Sequence, residues 1–248
     1  MLFRVFEYLE RQAQRAQGKG YGAKSLKTEV RAALPFLPDA NAVVFDVGAN
    51  KGKWAREMLA QAGPRIAKLY CFEPSRFNRA AIEAIGDPRV VLIGEALSDK
   101  PGRQTLHFDA EGSGIASLAE RRLEHYGVSM DGKEGVSVTT LDAVIAEQGI
   151  SRIDFAKLDV EGYEYAALAG GEKALANGLV RALAFELGGC NIDTRIFFRD
   201  FWYFLTDRNY AIARINPTGK PHRIERYREI EENFLLANFV AWRKDIFA

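Results

Sequence analysis

The sequence is poor in the residues that build metal centres and covalent frameworks. Its two cysteines, Cys71 and Cys190, stand far apart and outside any CxxC or Cys/His grouping. That excludes a zinc finger and a disulfide scaffold and fits a reducing compartment. The three histidines are scattered, His107 in an alternating stretch and His125 and His222 in polar surroundings, so each reads as structural or solvated rather than as a base. No run approaches the roughly 18 apolar residues of a membrane span, and the first residues lack a continuous apolar signal core. A net charge of +1 gives no overall attraction to a polyanion, so nucleic acid is not an expected partner. Internal repeats and low-complexity tracts are missing too. These absences leave a soluble folded chain, expected in the cytoplasm.

At 248 residues the chain is long enough for one large α/β domain and short for two. Met1 to Gln17 has the spacing of an amphipathic helix, with Leu2, Phe3, Phe6, Leu9 and Ala13 on one side. Its apolar stripe suits packing on the domain or on a second subunit, which makes a homo-oligomer through this helix possible; the basic face is thin for a membrane surface. Gly18, Gly20 and Gly22 break the helix, and Lys27 to Leu34 reads as helix again until Pro35 and Pro38. Residues 1–40 are therefore expected to be a helical extension and residues 41–248 the main domain.

From there strands and helices alternate: strand at Val43 to Val47, helix at Lys53 to Gln61, strand at Lys68 to Phe72, helix at Phe77 to Ile85, strand at Val90 to Leu97. Asp154 to Val160 and Arg181 to Leu187 read as further apolar strands, with one helix from Tyr163 to Asn177 between them. Short links between alternating elements predict a doubly wound, mostly parallel sheet with helices on both faces. The last third, helical over Phe197 to Arg208 and extended over Ala211 to Ile215 and Phe234 to Trp242, predicts a closing helix and an antiparallel edge hairpin.

The stretch VVFDVGANKGKW, Val43 to Trp54, runs an apolar strand into the acid Asp46 and a turn with Gly48 and Gly52. Glycines there let the backbone turn tightly and approach a nucleoside cofactor. A dinucleotide turn needs a middle glycine where a pyrophosphate meets backbone N–H groups, and Asn50 stands in that place. A carboxylate at the mouth repels pyrophosphate but accepts from an ammonium, which S-adenosylmethionine carries. Glu73 ends the second strand in YCFEPS, placed to accept from both hydroxyls of a ribose, and Pro74 turns the chain off the sheet. In Ile153 to Ala169, IDFAKLDVEGYEYAALA, a strand carrying Lys157 delivers Asp159, Glu161 and Glu164 around Gly162. Carboxylates so crowded are costly unless they have a function or hold a cation.

With these pieces in this order, the chain resembles the FkbM-type methyltransferases. FDVGANKGKW, CFEPS, the EALSD turn, VTTLDAVI and above all IDFAKLDVEGYEYAALAGG carry the likeness, over roughly Val43 to Leu187. The resemblance implies a Rossmann-like class I methyltransferase sheet and S-adenosylmethionine as cofactor. It implies that Asp46, Gly48, Ala49, Asn50 and Gly52 hold the methionine part, Glu73 and Pro74 the ribose end, Ala96 and Leu97 the adenine, and that Asp159 stands near the sulfonium. Glu111 to Leu118, EGSGIASL, looks like the loop the family places over its active site.

Methyl transfer is an in-line displacement that needs an aligned acceptor and a group to take its proton. Asp159 is the first candidate base, with Glu161 and Glu186 as second choices. The same carboxylates offer an alternative, a divalent cation that lowers a hydroxyl's pKa, but no metal ligand is assigned because no histidine joins the cluster. The expected activity is O-methylation of a sugar, glycan or natural product. No Asn-Pro-Pro-Tyr type segment follows the fourth strand, which argues against base or amide nitrogen. Two other readings stand beside it: a nicotinamide-dependent oxidoreductase of similar fold, and a cofactor-fold protein that binds a partner without catalysis.

Overall fold

The computed structural model describes residues 2–20 and 26–247. Its elements in chain order are α1 (Leu2–Ala16), α2 (Leu26–Ala33), β1 (Ala42–Val47), α3 (Lys53–Ala62), β2 (Ile66–Phe72), α4 (Arg76–Glu83), β3 (Val90–Ile93), β4 (Ala96–Leu97), β5 (Gly102–Phe108), β6 (Gly132–Thr139), α5 (Leu141–Glu147), β7 (Phe155–Leu158), α6 (Glu164–Ala169), α7 (Glu172–Ala176), β8 (Ala182–Leu187), α8 (Cys190–Thr194), α9 (Phe198–Thr206), β9 (Tyr210–Ile215), β10 (Pro221–Ile224) and β11 (Ala237–Arg243). Among the described residues, the main sheet runs β10-β9-β11-β8-β7-β1-β2-β3. Strands β3, β2, β1, β7 and β8 are parallel, and β11, β9 and β10 continue the sheet antiparallel. This is the doubly wound, mostly parallel sheet with a C-terminal antiparallel part that the sequence predicts.

The central strands form because their apolar runs are covered on both faces. Along β1, Phe45 and Val47 join a core with Phe72, Leu158, Phe185 and Phe201, beneath α5, α6 and α9. Val44 faces the other way, into a core with Val30 and Ala33 of α2, Trp54 and Met58 of α3, and Phe155. The side-chain period of two then decides where the strand-end acids point. Asp46 shares the α2–α3 face with Val44, and its cross-strand neighbour on β7 is Lys157.

Several expected elements are divided. The strand expected over Val90 to Leu97 breaks at Gly94, whose carbonyl accepts from the Arg79 guanidinium at 2.7 Å. Ala96 and Leu97 instead pair with β6 in a second sheet of order β4-β6-β5. The helix expected over Tyr163 to Asn177 is two helices. A Cβ on Gly170 would lie 2.0 Å from the Ser98 carbonyl oxygen, so the chain turns there, and Asp142 caps the second helix by accepting from the Lys173 and Ala174 amides. The hairpin partner of β9 is extended from Ala237 rather than Phe234, and β10 covers the outer edge of β9 with Pro221 in its first position, where no ladder donor is needed.

The N-terminal residues divide in character. α2 contributes fully buried Val30 and Ala33 to the core, whereas α1 has no buried residue and leaves Leu2, Phe3, Phe6 and Leu9 largely exposed. Its base is tied down where Arg214, ion-paired in the interior with Glu231 at 2.7 Å, donates to the Gln17 carbonyl at 2.7 Å. Cys71 and Cys190 are buried and free. No described helix is long and apolar enough to cross a membrane.

Candidate active site

Two cavities meet at Asp159, at the carboxyl end of the parallel strands, where open α/β sheets place their ligands. The first, about 60 Å³, lies between the turn after β1, the end of β2, β4 and the loop that follows β5. The turn is built by its backbone. Gly48 and Ala49 both donate to the Phe72 carbonyl, at 3.1 and 3.0 Å, and Asn50 takes a left-handed φ of 48°. That conformation presents the Asn50 amide to Glu73, which accepts it at 2.7 Å and the Ser75 amide at 2.9 Å. Glu73 is buried, and burial pushes its carboxyl up to about 7 despite those donors.

Gly48, Asn50, Glu73, Pro74, Ala96, Leu97, Asp159 and Glu161, named from the sequence, all line this cavity. Three expected cofactor residues do not. Asp46 is fully buried on the α2–α3 face, with neither carboxylate oxygen hydrogen-bonded and the Lys157 ammonium 3.9 Å away. Burial raises it to about 6, against the pull of Lys157. Ala49 packs inward beside Trp54, and Gly52 starts α3 behind the turn. These three shape the turn from beneath.

The acidic cluster is also rearranged. Glu164 is fully buried and accepts from the Val160 and Gly162 amides at 2.9 and 3.0 Å, so it fastens the loop after β7. Its place is taken by Glu186 of β8, whose carboxylate lies within 4.8 Å of those of Asp159 and Glu161 although it lines neither cavity. Two cations meet this charge. Lys157 donates to Asp159 at 2.9 Å, and Arg121 pairs with Glu161. Burial by itself would lower the Lys157 ammonium, yet Asp159 and Asp46 together hold it above its ordinary value. Burial raises Glu161 and Glu186, the latter further because Asp159 and Glu161 face it.

The Glu111 to Leu118 segment does lie over the cavity, which Ser113, Gly114, Ala116, Ser117 and Leu118 line. Asn50 Nδ2 donates to the Ser113 carbonyl at 2.7 Å, and Ser117 Oγ to the Glu161 carbonyl at 2.8 Å. The sequence reading missed Asn78, Leu106 and Arg121. Asn78, buried on α4, reaches Glu73 at 3.4 Å, and its spacing from CFEPS on a capped helix is the signal that marked it. Arg121 had none, lying in a stretch without regular structure.

The second cavity, about 20 Å³, opens on the α2–α3 face between Glu29, Trp54, Lys157, Asp159 and Asn238. Glu29 belongs to α2 and was not among the expected site residues.

The Methyltransferase FkbM domain matches residues 46–212. The chain is 33% identical over 172 residues to the 2-O-methyltransferase NoeI of Sinorhizobium fredii, covering 64% of this chain and 69% of that protein. It is 32% identical over 190 residues to the AMB antimetabolite synthetase AmbE of Pseudomonas aeruginosa, of which it spans 9%. Among solved structures it is similar in fold to methyltransferase FkbM from Methylobacillus flagellatus, with a TM-score of 0.51 and 15% identity over 82% of this chain and 44% of that one. The expected sheet is thus that of the class I methyltransferases, and the chain belongs to the FkbM methyltransferase family.

Proposed function

We propose that the protein transfers a methyl group from S-adenosylmethionine to a hydroxyl oxygen of a sugar, glycan or natural product, with residues 41–248 carrying the chemistry. The observation that carries this reading is Glu73: a buried carboxylate at the end of β2, held by two backbone amides and lining the same cavity as the glycine turn. This donor set suits a nucleoside. Glu73 accepts from ribose hydroxyls, Ala96 and Leu97 offer apolar walls for adenine, and the turn at Gly48 and Asn50 offers polar backbone without a pyrophosphate cradle. Bound there, S-adenosylmethionine supplies an electrophilic methyl carbon on a sulfonium.

Asp159 lines the cavity at the end away from Glu73's strand and is the residue we assign to take the acceptor's proton, supported by Glu161 and Glu186. Lys157 keeps Asp159 paired, and Arg121 does the same for Glu161. Because these two cations already face the cluster, no divalent ion is invoked. The name of NoeI, a 2-O-methyltransferase, supports oxygen as the acceptor atom. Calorimetry with S-adenosylhomocysteine and with NADH tests the reading. Binding of the first alone is expected, and binding of NADH alone overturns it.

A further inference from the structure

We infer that Glu29, on α2 and outside the residues matched by the family, is the outlet through which the proton released by methyl transfer leaves the site, reached from Asp159 across the second cavity. The inference rests on the reading that the first cavity takes S-adenosylmethionine. In that reaction the acceptor oxygen forms a C–O bond as the methyl C–S bond breaks, the C–S electron pair stays on sulfur as a neutral thioether, and the hydroxyl proton is left over. A cofactor and acceptor bound between the glycine turn and the loop above it would close that side of Asp159, so the proton needs another way out.

Asp159 lines both cavities, facing the glycine turn in one and Glu29 in the other. The neighbouring carboxylates are committed: Glu161 to Arg121, and Glu164 to two backbone amides. Glu186 lines neither cavity. Glu29 lines the cavity, is half-buried, and its carboxylate makes no hydrogen bond or ion pair among the described residues, so it is placed to pass a proton between the cavity and solvent. At about 20 Å³ the cavity has room for one water, with Glu29, Lys157, Asp159 and Asn238 as polar partners. The charged groups facing Glu29 are Lys157 from β7, Asp159 just after that strand and Asp46 from β1, while α3, β9 and β11 present Trp54, Ile215 and Asn238. Burial, opposed by Lys157 and helped by Asp159 and Asp46, pushes its carboxyl up to about 7, where it takes up and releases a proton at neutral pH.

The test needs no acceptor. S-adenosylmethionine brings a positive sulfur toward Asp159, and S-adenosylhomocysteine a neutral one. Calorimetry at pH 7 in phosphate and in Tris buffer counts the protons released on binding each. The wild type is expected to release a further fraction of a proton with S-adenosylmethionine. Glu29→Gln loses this excess while binding S-adenosylhomocysteine within twofold of wild type, and Glu29→Asp restores part of it. An excess that persists in Glu29→Gln, or none in the wild type, overturns the inference while the cofactor reading stands. Failure of both ligands to bind the wild type overturns the cofactor reading itself, and the inference with it.

Discussion

A Cβ on Gly48 would lie 1.9 Å from the carbonyl oxygen of Asp159. The two residues close one seam: the Asp159 amide donates to the Val47 carbonyl at 3.0 Å, and Gly48 turns away at φ 83° to clear the returning carbonyl. Gly48 is thus required by the chain itself, whatever ligand the turn meets. Gly48→Ala must both adopt a left-handed backbone and push β7 away, and is expected to lower unfolding free energy by about 3 kcal/mol or more. Urea unfolding measures it, and a change below about 1 kcal/mol would show that the seam yields.

Glu73 joins the turn to the cofactor cavity, so its removal should be felt in binding. Glu73→Gln keeps the size but replaces one acceptor oxygen with a donor facing the Asn50 or Ser75 amide. The affinity for S-adenosylhomocysteine is expected to fall at least tenfold, about 1.4 kcal/mol, in a titration at pH 7. Unchanged affinity would remove Glu73 from the nucleoside site.

Access to the first cavity runs through its cover. The 109–118 stretch covers part of the first cavity, so its opening is expected to accompany ligand entry. The loop is held by the Arg121–Glu161 pair, in which both side chains are at most 17% exposed, and by the Ser117 and Asn50 hydrogen bonds. Arg121→Ala is expected to speed proteolytic cutting within residues 109–131 of the free protein severalfold, with S-adenosylhomocysteine protecting it. Equal cutting rates with and without the arginine would mean that the pair does not hold the loop.

What the sequence reveals of this molecule follows burial. The strands β1, β2, β7 and β8 are legible because parallel strands covered on both faces need continuous apolar runs. The same runs hide their two-residue period, so Asp46 reads as a mouth residue although it shares the face of Val44. The small sheet is legible only in part: the alternation around His107 marks β5, but GRQTLHF and GKEGVSVT are half-exposed and pair chiefly with each other, so their pairing as a separate sheet is not. Local spacing groups Asp159 and Glu161 with Glu164, but the turn at Glu161, with φ 54°, sends Glu164 back to the backbone. Glu186 reaches the cluster from a strand that only the sheet order brings near.

Glu164 makes the stability of the free protein depend on pH. Burial pushes its carboxyl up to about 8, against the Val160 and Gly162 amides that favour its charge. A carboxyl raised in the folded state binds its proton more tightly there than in the unfolded chain. Its contribution is therefore complete below the unfolded value of about 4.5 and is lost as the pH climbs through 8. Asp46, raised to about 6, and Glu73, raised to about 7, act with the same sign. Glu164→Gln removes the largest of these three titrations while keeping one acceptor oxygen for the loop. Urea midpoints at pH 5, 6.5 and 8 are expected to show the wild type ahead at pH 5 and the variant gaining steadily as the pH rises. A wild-type advantage that stayed constant over that range would mean that Glu164 is already ionised at pH 5 and that its two amide donors outweigh its burial.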